Sequence, residues 1–141
     1  MKLNKNISRT VLGVSLLLPL FAHAIDLAID VKGISSDKGS VLVAIYDKAD
    51  MWMKKPVGVA RMPANKNGVT VLIKDLADGE YAASLFHDEN GNGKLDSNAI
   101  GMPIEPFGFS NDASGKFGPP PFEKAKFKLD ANKKNIVVNF K

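Results

Sequence analysis

From Ile25 onward, hydrophobic residues recur at every second position. Leu27, Ile29 and Val31 alternate with Asp26, Ala28, Asp30 and Lys32, the period of a strand with one face buried. SVLVAIYD (40–47) is apolar almost throughout and rich in β-branched residues, which predicts a central strand. Residues 58–64 predict a short edge strand limited by Pro63. Residues 68–76 place Val69, Val71 and Ile73 on one face, and 80–88 alternate Tyr81, Ala83, Leu85 and His87 against Ala82, Ser84 and Phe86. A last pair of strands is predicted over 124–130 and 135–141, around a turn at 131–134. Turn clusters such as Ser35 to Gly39 separate the runs, and only 47–55 suggests a short helix, ended by Pro56. About seven short strands without a long helical period predict an all-β sandwich of immunoglobulin-like or transthyretin-like type.

One segment breaks the pattern. From Asp88 to Pro121 the chain is dense in Gly, Pro, Asn and Asp, yet it keeps Leu95, Ile100, Met102, Ile104, Phe107, Phe109 and Phe117. Structureless loops beyond about 12–15 residues are uncommon in compact domains, and disordered segments lack such apolar residues. The expectation is a long ordered loop, 88–121, packed over one end of the sandwich. Met51-Trp52-Met53 is expected to plug the other end.

The first 24 residues have a different layout. Lys2, Lys5 and Arg9 precede an apolar run from Val11 to Phe21, closed by Ala22-His23-Ala24. This predicts a secretory signal peptide, 1–24, and a single exported domain, 25–141. The apolar run has 11 residues, far short of the roughly 20 of a spanning helix, so no transmembrane segment is expected in the mature form. The leader also holds three of the 19 basic residues, which leaves 16 against 15 acids in residues 25–141. Net charge therefore gives no support for a nucleic-acid partner. There is no cysteine, and one histidine, His87, follows the leader; thiol nucleophiles and Cys/His zinc sites are excluded.

The candidate chemistry lies in HDENGNGKLD (87–96). Asp88, Asn90, Asn92 and Gly93 meet the calcium-loop template D-x-[DN]-x-[DN]-G. A hard cation takes six to eight oxygens, and side chains at alternate loop positions can converge on one point. The expected ligands are Asp88, Asn90, Asn92 and Asp96 through side chains and Lys94 through its carbonyl. The twelfth position is Ala99, where a helix-loop-helix site needs a bidentate Glu. The loop is therefore not an EF-hand; further oxygens would come from Glu105, Asn98 or Asp112, and affinity would be on the order of 10⁻⁴–10⁻³ M. The competing expectation is an ion-free turn, since Asn-Gly pairs supply positive φ and local Asx hydrogen bonds unaided.

His87-Asp88, Asn90 to Asp96, Gly101 to Pro103, Glu105, Gly108 to Asn111 and Gly118 to Pro120 together resemble the bacterial family called domain of unknown function 2141. Pro106 departs from its pattern, where a glycine is expected. The resemblance spans essentially residues 25–141 and implies an exported single domain, a β-sandwich, with no established activity attached.

Other residues suggest weaker chemistry. His87 with Ser110 or Glu105 would make a small hydrolase, but Ser110 has no nucleophile-elbow signature and Ser84 falls on the opposite face of the strand. Asp96 and Glu105 would suit a glycosidase only at a distance that spacing does not give. Phe107 and Phe109, with Glu105 and Asn111 as polar points, either line a ligand cleft or cover the core. The leading expectation is a non-enzymatic cell-envelope binding or interaction module for an envelope or extracellular ligand, with its loop held by weakly bound calcium. A purely structural domain without ion or ligand is the third possibility.

Overall fold

The computed structural model describes residues 24–141, so the predicted signal peptide lies outside the described residues apart from Ala24. Eight strands form two sheets: β1 (Ile25–Lys32), β2 (Ser40–Tyr46), β3 (Gly58–Pro63), β4 (Val69–Leu76), β5 (Gly79–Asp88), β6 (Phe107–Phe109), β7 (Phe127–Leu129) and β8 (Asn135–Asn139). The smaller sheet has the order β4-β1-β8, and the larger β3-β2-β5-β6, with β7 also paired to β5. All pairs are antiparallel except β1 with β8. The fold is an all-β sandwich. No helix among the described residues is long and apolar enough to cross a membrane.

The period-two pattern builds the core directly. Leu27 and Ile29 from β1, Val41 and Ile45 from β2, Val71 from β4, Leu85 from β5 and Val138 from β8 turn inward and are fully or almost fully buried between the sheets. The uniformly apolar β2 has a different cause from simple centrality. Its other face, with Ala44 and Tyr46, is partly covered by a second cluster of Ala82, Phe109, Phe122 and Ala125. Trp52 joins this cluster, edge-on to Tyr46 at 4.9 Å between ring centroids, and its Nε1 donates to the Pro120 carbonyl at 2.8 Å.

Four expectations are corrected. Residues 47–55 hold only a 3-10 turn, Ala49–Met51, because Met53 takes a left-handed φ of 58° as the chain turns Trp52 onto the larger sheet. Trp52 and Met53 accordingly lie against the outer face of that sheet, so Met-Trp-Met does not plug an end of the sandwich. The predicted strand at 124–130 begins only at Phe127, after a one-turn helix α1 (Phe122–Ala125). The segment 88–121 is not one loop, since β6 inside it pairs Phe109, Gly108 and Phe107 with Ser84, Leu85 and Phe86. Glycine is required in the middle of β6: a Cβ on Gly108 would lie 2.8 Å from Val138 Cγ1 and 3.0 Å from the Asn139 carbonyl oxygen.

Candidate functional site

The end of β5 sends two neighbouring polar side chains to opposite faces, and both are fully buried. His87 Nε2 lies 2.6 Å from the Lys38 carbonyl oxygen; a carbonyl only accepts, so this nitrogen carries a proton. Nδ1 lies 3.0 Å from Ser35 Oγ, and the Ser35 hydroxyl donates to Glu89 Oε1, as does Ser36 at 3.0 Å. His87 thus pins the 33–39 turn to the start of the loop.

Asp88 performs the corresponding task on the other face. Its Oδ1 accepts the N–H groups of Gly91 and Asn92 at 2.8 and 3.1 Å, and Oδ2 accepts that of Gly93 at 2.9 Å. Gly91 and Gly93, with φ of 76° and 75°, let the backbone curl so that these amides converge on one carboxylate. Glu105, nine-tenths buried, closes the loop: Oε1 accepts from Glu89 N and Oε2 from Asp96 N, both at 3.0 Å. A carboxylate accepting several N–H bonds needs no cation to be satisfied.

The remaining loop side chains meet on the surface. Asn90 Nδ2 donates to Asp96 Oδ2 at 2.6 Å, and Asn92 Nδ2 donates to both Asp96 oxygens at 2.9 and 3.0 Å. The structure therefore brings Asn90, Asn92 and Asp96 together above the cradle that Asp88 forms. Lys94 N donates to Asn92 Oδ1 at 2.9 Å. The expected supplementary ligands are engaged elsewhere. Asn98 Oδ1 takes the amides of Ile100 and Met102, Asp112 binds Asn139, and Glu105 closes the loop.

Nor are the hydrolase partners assembled. Ser110 is fully buried, where it accepts from Ala83 N at 2.8 Å and donates to the Ala125 carbonyl. Asn111 does not point into a cleft but donates to the Lys126 carbonyl at 2.7 Å.

Beside the loop lies a feature that the sequence reading named only through Phe107 and Phe109. The outward face of the larger sheet, with Leu42, Ala44, Ser84 and Phe86 as floor and Met53, Leu95 and Phe107 as walls, encloses about 530 Å³. A second lobe of about 490 Å³ shares Met53, Leu95, Phe107 and Phe109 and continues past Ile100, Met102 and Phe117. Each lobe is within the range of small-molecule sites. The small side chains of Ala44 and Ser84 give the trough its depth. The signal in the sequence was the apolar outward positions of β2.

The Ser35 and Ser36 hydroxyls hold the Glu89 carboxyl below its ordinary range. A lowered carboxyl pKa stabilises the fold above the unfolded value, and the contribution is lost as pH falls through the folded one. The melting-temperature advantage of the wild type over Glu89→Gln should be complete at about pH 6 and vanish on acidification through and below the ordinary carboxyl range. With Glu89 41% exposed, the effect is small; a difference that does not change with pH would show that the charge adds nothing.

A family model described as "Uncharacterized protein conserved in bacteria (DUF2141)" matches residues 29–137. No curated protein and no solved structure matches the chain.

Proposed function

The chain belongs to this uncharacterised bacterial family, and we propose that it is an exported, non-enzymatic cell-envelope module that binds an apolar ligand in the trough on its larger sheet. The observation that carries the reading is the trough itself: a sheet face left open to solvent, floored by Leu42, Ala44 and Phe86 and walled by Met53, Leu95 and Phe107. Open apolar surface of this kind marks binding sites. A role without catalysis is supported by His87, whose two ring nitrogens are occupied by a carbonyl and a hydroxyl in a fully buried position. Export is supported by the layout of residues 1–24.

The test is saturable binding of N-phenyl-1-naphthylamine, whose emission rises in apolar surroundings. One site is expected, with affinity at least tenfold weaker in Ser84→Leu, which fills the floor, while the melting temperature stays within a few degrees of wild type. Absence of saturable binding, or unchanged affinity in Ser84→Leu, would remove the trough as the site.

A second reading, calcium, is favoured by the convergence of Asn90, Asn92 and Asp96. Turning the two amides about their last bond presents oxygens beside the Asp96 carboxylate, with the Lys94 carbonyl as a further oxygen, at the cost of the bonds that their Oδ1 atoms accept from Asn92 N and Lys94 N. In this reading the ion stiffens the loop that carries Leu95, a wall of the trough. It requires a calcium-dependent melting temperature that Asp96→Ala abolishes.

A further inference from the structure

We propose that the trough takes an anionic single-chain amphiphile of the fatty-acid class, with its carboxylate on Arg61 and its alkyl chain along the sheet face; this rests on reading the trough as the ligand site. The lining of the first lobe is apolar apart from Ser84, the Tyr46 phenol and one charged side chain, Arg61. In the second lobe the one charged lining side chain is again a cation, Lys116. No carboxylate lines either lobe.

Arg61 is available to a ligand. Its side chain is 55% exposed, and its Nη2 stands 4.0 Å from Asp88 Oδ2, too far for a hydrogen bond. The Asp88 carboxylate is already held by three backbone N–H groups and faces Arg61 as an ion pair without a hydrogen bond, so the guanidinium fork keeps its N–H donors for a ligand. A planar fork with parallel N–H donors matches a carboxylate in two-point contact.

The shape selects the tail. The two lobes join through Met53, Leu95, Phe107 and Phe109, and only the first reaches Arg61. A trough of two joined lobes, with Arg61 in the first and Lys116 in the second, fits an extended chain with one charged terminus better than a compact ring system, and Arg61 is the cation on the sheet face itself. Methionine walls adapt to chains of different length. Ile100, Met102 and Phe117, which are 83%, 59% and fully exposed, line the second lobe and leave its apolar wall open to solvent.

The full mature protein is loaded with N-phenyl-1-naphthylamine and titrated with dodecanoate, dodecyl phosphate or dodecanol below their aggregation thresholds. Trp52, the only tryptophan, serves as a second reporter because it packs against Phe109 in the wall. Dodecanoate should displace the dye at concentrations at least tenfold lower than dodecanol and lower than dodecyl phosphate. Arg61→Gln should bring the dodecanoate-to-dodecanol ratio to within about twofold, and Arg61→Lys should restore it only in part. Equal displacement by dodecanoate and dodecanol in the wild type overturns the anionic ligand while leaving an apolar trough. Stronger displacement by dodecyl phosphate assigns the head group to phosphate and overturns the carboxylate. A preference that survives Arg61→Gln and disappears in Lys116→Gln overturns the head-group placement. Failure of the dye itself to bind overturns the trough reading.

Discussion

Gly39→Ala is expected to unfold the protein, or to lower its melting temperature by more than any other added methyl group. Gly39 sits at φ +69°, just before β2, where a new Cβ would lie 1.9 Å from the Asp88 carbonyl oxygen and 2.8 Å from the Glu89 Cα. Both neighbours are backbone, so no side chain can rotate away. The left-handed conformation costs an L-residue about 1–2 kcal/mol. Relief of the overlap must also part the start of β2 from the end of β5, where Ser40 pairs with Asp88 and His87 holds the Lys38 carbonyl. Loss of a buried, hydrogen-bonded junction of this kind belongs with the rare substitutions that cost roughly 4–5 kcal/mol or more, a fall of roughly 11–29 °C for a domain of this size. Gly91→Ala supplies the control. It shares the positive φ, at +76°, but a Cβ there meets nothing within 4 Å, so only the conformational part, about 1–2 kcal/mol, remains. Thermal melts of the two variants separate the explanations; equal losses would mean that close approach at Gly39 is unimportant.

The contrast between those glycines shows how far the sequence could be read. Both stand in turn clusters, and their sequence neighbourhoods do not indicate which one a distant strand crosses. Strands β1 and β4 were legible because one face of each is buried, so alternation runs along most of the strand; β5 was legible from Tyr81, Ala83, Leu85 and His87 although Ala82 and Asp88 are buried on its other face. β6 was not, because three residues carry too little alternation and the central one is glycine for a reason located on β8. The site divided in the same way. The spacing of Asp88, Asn90, Asn92 and Asp96 predicts one focus, whereas in the structure Asn90, Asn92 and Asp96 meet each other and Asp88 takes three backbone amides; amides and a cation both draw carboxylate oxygens to a focus, so spacing alone does not distinguish the two. The partners of Glu105, at Glu89 and Asp96, lie 16 and 9 residues away. The trough depends on positions from β2, β3, β5 and β6 that are adjacent only after the sheet has formed.

Asp88→Ala is expected to cost about 3–5 kcal/mol, and to do so in excess chelator as fully as in calcium. Hydrogen bonds to a charged group contribute roughly 1.5–3 kcal/mol each, although not additively. The carboxylate removed here accepts three, from amides that the two glycines aim at a fully buried site. Asp96→Ala removes a carboxylate at the surface whose partners, Asn90 and Asn92, can turn to water, and should cost under about 1 kcal/mol without an ion. Calcium separates the roles further. An ion bound only by the folded state at ten times its dissociation constant adds about 1.4 kcal/mol, or roughly 4–8 °C. If Asn90, Asn92 and Asp96 hold it, the wild type gains this increment in millimolar calcium and Asp96→Ala does not, while the two melt almost together in chelator. Asp88→Ala melts far below both in either solution. An Asp88→Ala protein that matched the wild type in chelator and fell behind only in calcium would make Asp88 a ligand first and a cradle second. The reverse pattern makes the buried carboxylate the foundation on which any ion site stands, with Leu95 and the wall of the trough held in place through the same loop.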